Sequence, residues 1–497
     1  MTLHPRENHQ LVGRDSDEGS GDALLAMVAG SYLIAALAGL PLYADGGHYL
    51  FRIIVDGLPY VPDGRLAAVI PQLPAWLLVQ LDASLVALRL AFSAGYLLLP
   101  FLSLLACWLI VRSSVPWLMV LPASGALLNQ INASAVSELL AIVYLMWPLV
   151  LALSRYGERR IIRLLTWLAA PVMLTLHPVA LLACVVLVVV VEMTIRDRLL
   201  SAWLVVCALA RLLWSLQGLS GYEQSHLAGD GVLWYLLTQT LGQHAMLFAV
   251  TLVGLGVAVE LLRSPVQGFS LAPRVAGALL VMAAVLVGFE LILGQGWRLK
   301  SGITFPVQLL LMIISALSAP ARGQRDRLRS RPGPGPGSRT SGAGARWAPV
   351  LRISLFGIAA LMLVKSAAWW TATRGLQNVV SEPGDACVHH GRQTPFALQW
   401  PWMAVIDEWN APMNALLFRP GFRAPGSETL APIAILLPRD GCEQVATTGI
   451  AYLTPWLPVS WSLLDQRFGP LRALPSELPR SEPPLSELPL SEPQMPR

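Results

Sequence analysis

Long apolar runs separated by short polar segments dominate the chain, and several runs reach the ~17–25 residues that cross a bilayer as helix. They fall at about 23–43, 90–111, 115–130, 134–153, 161–176, 178–194, 199–217, 240–262, 275–294, 303–319 and 349–370. That pattern predicts about eleven transmembrane helices. The stretch 1–22 is polar and carries both signs of charge. It is too long and too acidic for a leader's basic segment, so the first run is expected to be a retained span.

The interval between the first two runs, 44–89, breaks the rhythm. It opens Tyr43-Ala44-Asp45-Gly46-Gly47-His48-Tyr49 and continues through Leu50-Phe51-Arg52-Ile53-Ile54-Val55-Asp56-Gly57, which suits a short amphipathic helix. Residues 66–81 are apolar but hold Pro71, Gln72 and Pro74. A stretch so short and so interrupted spans poorly and suits a helix lying at the interface or folded over a cavity.

Composition supports a membrane setting. Of 497 residues 55% are hydrophobic and 13% charged, about half the ~25% charge of soluble domains. This excludes an ordinary soluble enzyme, a disordered chain and a fibrous repeat. The net charge of +5 is no sign of nucleic-acid binding. Lysine occurs only at 300 and 365, and the arginines cluster between apolar runs. Cytoplasmic segments are enriched in Arg and Lys. With the N-terminus inside, the clusters at 155–163, 196/198, 263/274 and 322–346 all fall on the cytoplasmic side. Arg298 and Lys300 fall on the outer side.

The expected fold is therefore an all-α polytopic membrane protein with a small α/β or β-containing outer domain near the C-terminus. Residues 1–22 form a cytoplasmic segment, and 23–319 form the transmembrane core with its outer loop 44–89. Residues 320–348 make a flexible Arg/Pro/Gly linker. A last span at 349–370 leads to the outer domain, 371–470. The Ser/Glu/Pro tail at 471–497 cannot bury a core and is expected to be disordered. Cys107, Cys184 and Cys207 lie in spans as small apolar fillers. Cys387 and Cys442 lie in the outer domain, where a disulfide is permitted.

Ionisable groups at membrane depth are costly unless they face a cavity, so those on the outer face are candidates. Asp45, His48 and Tyr49 open the first loop, and His177-Pro178 sits at a tight outer turn. Glu223, His226 and Asp230 follow the seventh run. Arg298 and Lys300 join the ninth and tenth runs, Glu138 and Glu290 stand near outer span ends, and Arg211 lies in the outer part of the seventh. Each has a plainer reading. Asp45 serves as a solvated loop acid, His177 equally as a helix cap, Arg298 and Lys300 as headgroup anchors, Arg211 as a partner of Glu138 or Glu290, and Glu223, His226 and Asp230 as ordinary loop polarity. His48 has no second His or Cys at ligand spacing nearby.

A long first outer loop that opens with an acid resembles the glycosyltransferase C (GT-C) superfamily, polytopic enzymes that take a sugar from a polyprenyl-phosphate or pyrophosphate donor. Asp45-Gly46-Gly47-His48-Tyr49 matches the family's acid and later Tyr but lacks its second acid. Leu88-Arg89-Leu90-Ala91-Phe92-Ser93-Ala94-Gly95 and the soluble domain after the last span are also similar. The resemblance implies inverting transfer of a hexosyl or pentosyl group to a glycan, lipid or protein acceptor on the outer face of a bacterial inner or plasma membrane, in building the cell envelope. Asp45 would be the general base, and Tyr49, His48, His177, Arg298 and Lys300 would bind substrate. Glu138, Arg211, Glu223, His226 and Glu290 would support them. One carboxylate leaves a divalent metal optional, and no other cofactor is implied. Trp400, Trp402 and Trp409 beside Asp407 and Glu408 suit either acceptor binding or packing within the outer domain. A transporter or a noncatalytic scaffold presenting that domain is the competing class.

Overall fold

The computed structural model describes residues 9–112, 116–130, 136–218, 304–318, 341–389, 410–419, 431–437, 441–454 and 456–474. It is mostly helical. The helices α1 (His9–Ala38), α2 (Asp45–Asp56), α3 (Leu73–Gln80), α4 (Leu85–Val111) and α5 (Val120–Asn129) lead to α6 (Glu138–Tyr156), α7 (Arg160–Leu174), α8 (Ala180–Thr194) and α9 (Arg198–Gly218). Two further helices, Phe305–Ser318 and Ser341–Ser381, complete the described bundle.

Among the described residues, four segments are long and apolar enough to cross a bilayer: Gly21–Ala38, Leu85–Val111, Glu138–Tyr156 and Pro349–Ser381. Side-chain hydroxyls start two of the bundle helices. Ser84 accepts from Ala87 N at the head of α4, and Ser137 accepts from Leu140 N at the head of α6, which satisfies backbone donors that have no intrahelical partner. The outward faces are apolar. On α7, Ile161, Leu164, Leu165 and Leu168 are all about half exposed, one stripe at helical spacing where a water-facing helix would be polar.

Several boundaries differ from expectation. The apolar run at 115–130 is a 3₁₀ turn, Pro116–Met119, followed by a ten-residue helix, too short to span by itself. The last long helix starts at Ser341, inside the expected linker, and runs to Ser381. It begins after the last proline of the Pro-Gly run, Pro336, and ends before Pro383. Beyond position 370 it still buries Ala372, Thr373, Leu376 and Val380, a continuing helical period. The expected interfacial segment is the 3₁₀ turn Leu66–Gln72 leading into α3. The runs at 240–262 and 275–294 and the tail lie outside the described residues.

Polar side chains knot the bundle interior. Buried Gln308 accepts from Trp147 Nε1 at 2.8 Å and donates to Asn129 Oδ1 at 3.0 Å and to the Gly125 carbonyl. Trp167 and Trp203 stack at 4.8 Å and tie α7 to α9.

The C-terminal unit contains two small sheets. In one, β1 (Cys387–His389) runs parallel to β2 (Ile435–Leu437); in the other, β3 (Ile450–Thr454) runs antiparallel to β4 (Leu457–Ser460). Short helices Ala411–Leu417, Gly441–Thr448 and Trp461–Phe468 pack around them. A disulfide joins Cys387 to Cys442, with Cα atoms 5.6 Å apart. The unit sits on the start of the first loop. Phe468 stacks on Phe51 of α2 at 5.3 Å, and Gln377 Nε2 donates to the Phe418 carbonyl at 2.6 Å.

Candidate functional site

The first loop folds back over the bundle end where α1 finishes and α4 and α6 begin. Its turn is tight. Ala44 has φ 53°, a left-handed backbone that a residue with a Cβ seldom adopts. Asp45 is then the first residue of α2 and is half buried. A carboxylate here is favoured by the partial positive charge of the helix N-terminus. Gly46 and Gly47 follow because a Cβ on either would strike neighbouring atoms: the Pro41 carbonyl at Gly46, and Asn414 Oδ1 and the Leu42 carbonyl at Gly47.

The C-terminal unit fixes this turn. Fully buried Asn410 donates from Nδ2 to the carbonyls of Leu42 and Ala44, the residue before Asp45. Loop and unit form one piece of structure around the acid.

Tyr49 lies one turn along α2 and is buried. Its hydroxyl donates to Glu138 Oε1 at 2.9 Å. Arg65 Nη1 reaches Glu138 Oε2 at 3.4 Å. Burial first, then the carboxylates of Glu138 and Asp45, push the Tyr49 phenol well above its usual range, so it stays protonated as the donor. Two acids thus act on one tyrosine although they stand far apart in sequence. His48, 8% exposed, sets its ring edge-to-face on Tyr60 at 5.1 Å. Burial, helped by the charge of Arg52, presses its imidazole down to about 4. At neutral pH it is uncharged, able to hydrogen-bond but unable to supply a cation.

The rest of the loop is bolted down by amide and indole groups. Gln72 Nε2 donates to the carbonyls of Tyr60 and Ala68 at 2.8 and 2.9 Å, and its Oε1 accepts from Tyr60 N at 3.0 Å. Trp76 Nε1 donates to the Gly57 carbonyl at 3.1 Å. Ala67 N donates to Thr175 O at 3.4 Å, which draws the loop to the turn that carries His177. There His177 Nδ1 accepts from Val179 N at 3.2 Å, the cap arrangement.

The expected residues therefore separate. Asp45, His48, Tyr49 and Glu138 come together, with His177 on the adjoining turn. Glu138 is bound by Tyr49 and Arg65, and Glu290, the other partner expected for Arg211, lies outside the described residues. Arg211 lies buried in α9 with its guanidinium 5.5 Å from the Trp214 ring. Arg298, Lys300, Glu223, His226, Glu290, Trp400, Trp402 and Trp409 lie outside the described residues. No trio of His, Cys, Asp or Glu suited to a metal gathers among the described residues. Both Glu138 oxygens are already engaged, by the Tyr49 hydroxyl and by Arg65.

Arg65, Tyr60, Gln72 and Asn410 were missed by sequence reading. Arg65 had a signal: like Arg52 and Arg89, it is an arginine on the side that charge parity makes outer. Each of the three has a local partner, Asp56 for Arg52 at 2.7 Å, Glu138 for Arg65, and the Phe418 ring for Arg89 at 4.6 Å.

Comparison with known proteins returns no matching family, no matching characterised protein and no matching solved structure.

Proposed function

We propose that the protein is a multi-pass membrane glycosyltransferase of GT-C plan, with about eleven spans, a cytoplasmic N-terminus and the C-terminal unit outside. It moves a sugar from a polyprenyl-phosphate donor to an acceptor at the outer face. The observation that carries the reading is the setting of Asp45. It stands at a helix N-terminus, beside a buried Tyr49–Glu138–Arg65 cluster and beneath the C-terminal unit, at an end where apolar helix faces adjoin the site.

The chemistry follows from those groups. Asp45 accepts the proton of an acceptor hydroxyl as its oxygen attacks the anomeric carbon. The bond from that carbon to the donor phosphate oxygen breaks, and its electrons leave with the phosphate. The direct displacement inverts the anomeric centre, so one base suffices. Arg65 on the loop, with Arg298 and Lys300, steadies charge growing on the departing phosphate. His48, which is neutral, and His177 offer hydrogen bonds. The prenyl chain stays in lipid along the apolar helix faces.

Membrane vesicles containing the protein, given a labelled polyprenyl-phosphate sugar, test this. Asp45→Asn should lower transfer by about 100-fold or more, with unchanged protein level and melting, while Asp45→Glu should retain part of it. Full transfer by Asp45→Asn would remove Asp45 as the base.

A further inference from the structure

At the end of the bundle opposite Asp45, the turn from α6 to α7 and the turn from α8 to α9 line an open cleft of about 390 Å³, in which Arg196 and Arg198 are exposed. Its walls include Arg163, Arg196 and Arg198, with Glu158 and Asp197 as the opposing charges. Asp197 is already committed. Its Oδ2 binds Arg163 Nη1 at 3.1 Å, and its Oδ1 caps α9 by accepting from Leu200 N at 3.2 Å. Arg163 is further held by the Glu158 carbonyl at 2.9 Å. By contrast, Arg196 and Arg198 form no ion pair or side-chain hydrogen bond among the described residues. The cleft therefore has one rigid wall and two unspent guanidinium groups.

The backbone adds an independent sign. Arg196 has φ 53° where α8 ends, and its N–H returns to the Val191 carbonyl at 2.9 Å. This is the left-handed position that normally takes glycine. An arginine there is strained, because its Cβ crowds the backbone. An enrichment of basic residues on the cytoplasmic side explains arginines near this turn, but not an arginine at this strained position. Apolar surface rises directly from the cleft. Leu199, next to Arg198, is 71% exposed, and the half-exposed stripe of α7 stands beside it.

We infer that this cleft binds the headgroup of an anionic phospholipid of the inner leaflet. Arg196 and Arg198 contact the phosphate, and the acyl chains lie along α7 and α9. Basic pockets between helices at a cytoplasmic surface have the right chemistry for such headgroups. The site is independent of sugar transfer and lies at the other end of the molecule.

The full chain in phosphatidylcholine nanodiscs, with and without phosphatidylglycerol, provides the test, read by melting temperature and by lipid retained in native mass spectrometry. Phosphatidylglycerol should raise the melting temperature and be retained. Removing each arginine should weaken retention roughly fivefold, in Arg196→Gly and further in Arg196→Gln/Arg198→Gln. Arg196→Gly relieves the backbone strain, so it should melt no lower than the parent in phosphatidylcholine alone, and loss of lipid in it is not a folding defect. Undiminished phosphatidylglycerol binding in both variants would overturn the assignment. Equal protection by inorganic phosphate without anionic lipid would overturn it too, making the cleft a free-anion site.

Discussion

Asp45 stood out as a candidate in the sequence because an acid followed by two glycines and a tyrosine, just after an apolar run, is a local pattern. Its surroundings were not legible. Glu138 meets Tyr49 across 89 positions, and Asn410 reaches Ala44 across 366; no periodicity encodes such pairs. Arginines that break the charge parity were the one available clue, and Arg65 is the instructive case. His48 yields a prediction at this scale. Its imidazole titrates near 4 in the folded protein against a usual 6.5. Between those values the unfolded chain binds more protons, so stability rises with pH across the window and is lost as pH falls through it. The loss comes to about 2 kcal/mol at pH 5 and about 3 kcal/mol below pH 4. Thermal melts at pH 7 and pH 5 should show a lower midpoint in acid, with much of that difference missing in His48→Gln. An equal acid shift in the variant would assign the sensitivity to other groups.

Among the elements, helices were easiest to read because each needs a run of apolar residues that composition alone displays. Failures came where helix chemistry is local. Pro116 and the short apolar stretch after it gave a 3₁₀ turn and ten residues of helix in place of a span. The strands of the C-terminal unit, three to five residues each, are too brief for an alternating pattern to declare itself. What matters for the site is how that unit meets α2. Gly47→Ala would drive a methyl group into Asn414 Oδ1 and the Leu42 carbonyl, and should cost roughly 1–3 kcal/mol by overpacking. Gly30→Ala on α1, where nothing beyond the adjoining helix backbone lies within 4 Å of the added Cβ, is the control and should be neutral or slightly stabilising. Proteolysis of the unit should quicken only in the first. If the two variants melt alike, the seam between α2 and Asn410–Asn414 does not hold the loop.

For the whole molecule, hydrophobic length predicted a multi-pass protein, and the described residues contain four helices of the required length and apolarity. The described helices are consistent with a simple alternation. Asp45, Glu138, the His177 turn and the C-terminal unit gather at one end, and the arginine-rich turns at 155–163 and 196–198 lie at the other. Sugar transfer from a lipid donor requires the first end to face outward and to share that face with Arg298 and Lys300. The decisive measurement uses single cysteines at Gly57 and at Arg298, in a chain whose Cys107, Cys184 and Cys207 are replaced by alanine, labelled on intact cells with a membrane-impermeant maleimide. Both positions should label from outside, while a cysteine at Arg160 should label only after the membrane is opened. Labelling of 57 and 298 from opposite sides would leave no common pocket for donor and base, and would contradict the account.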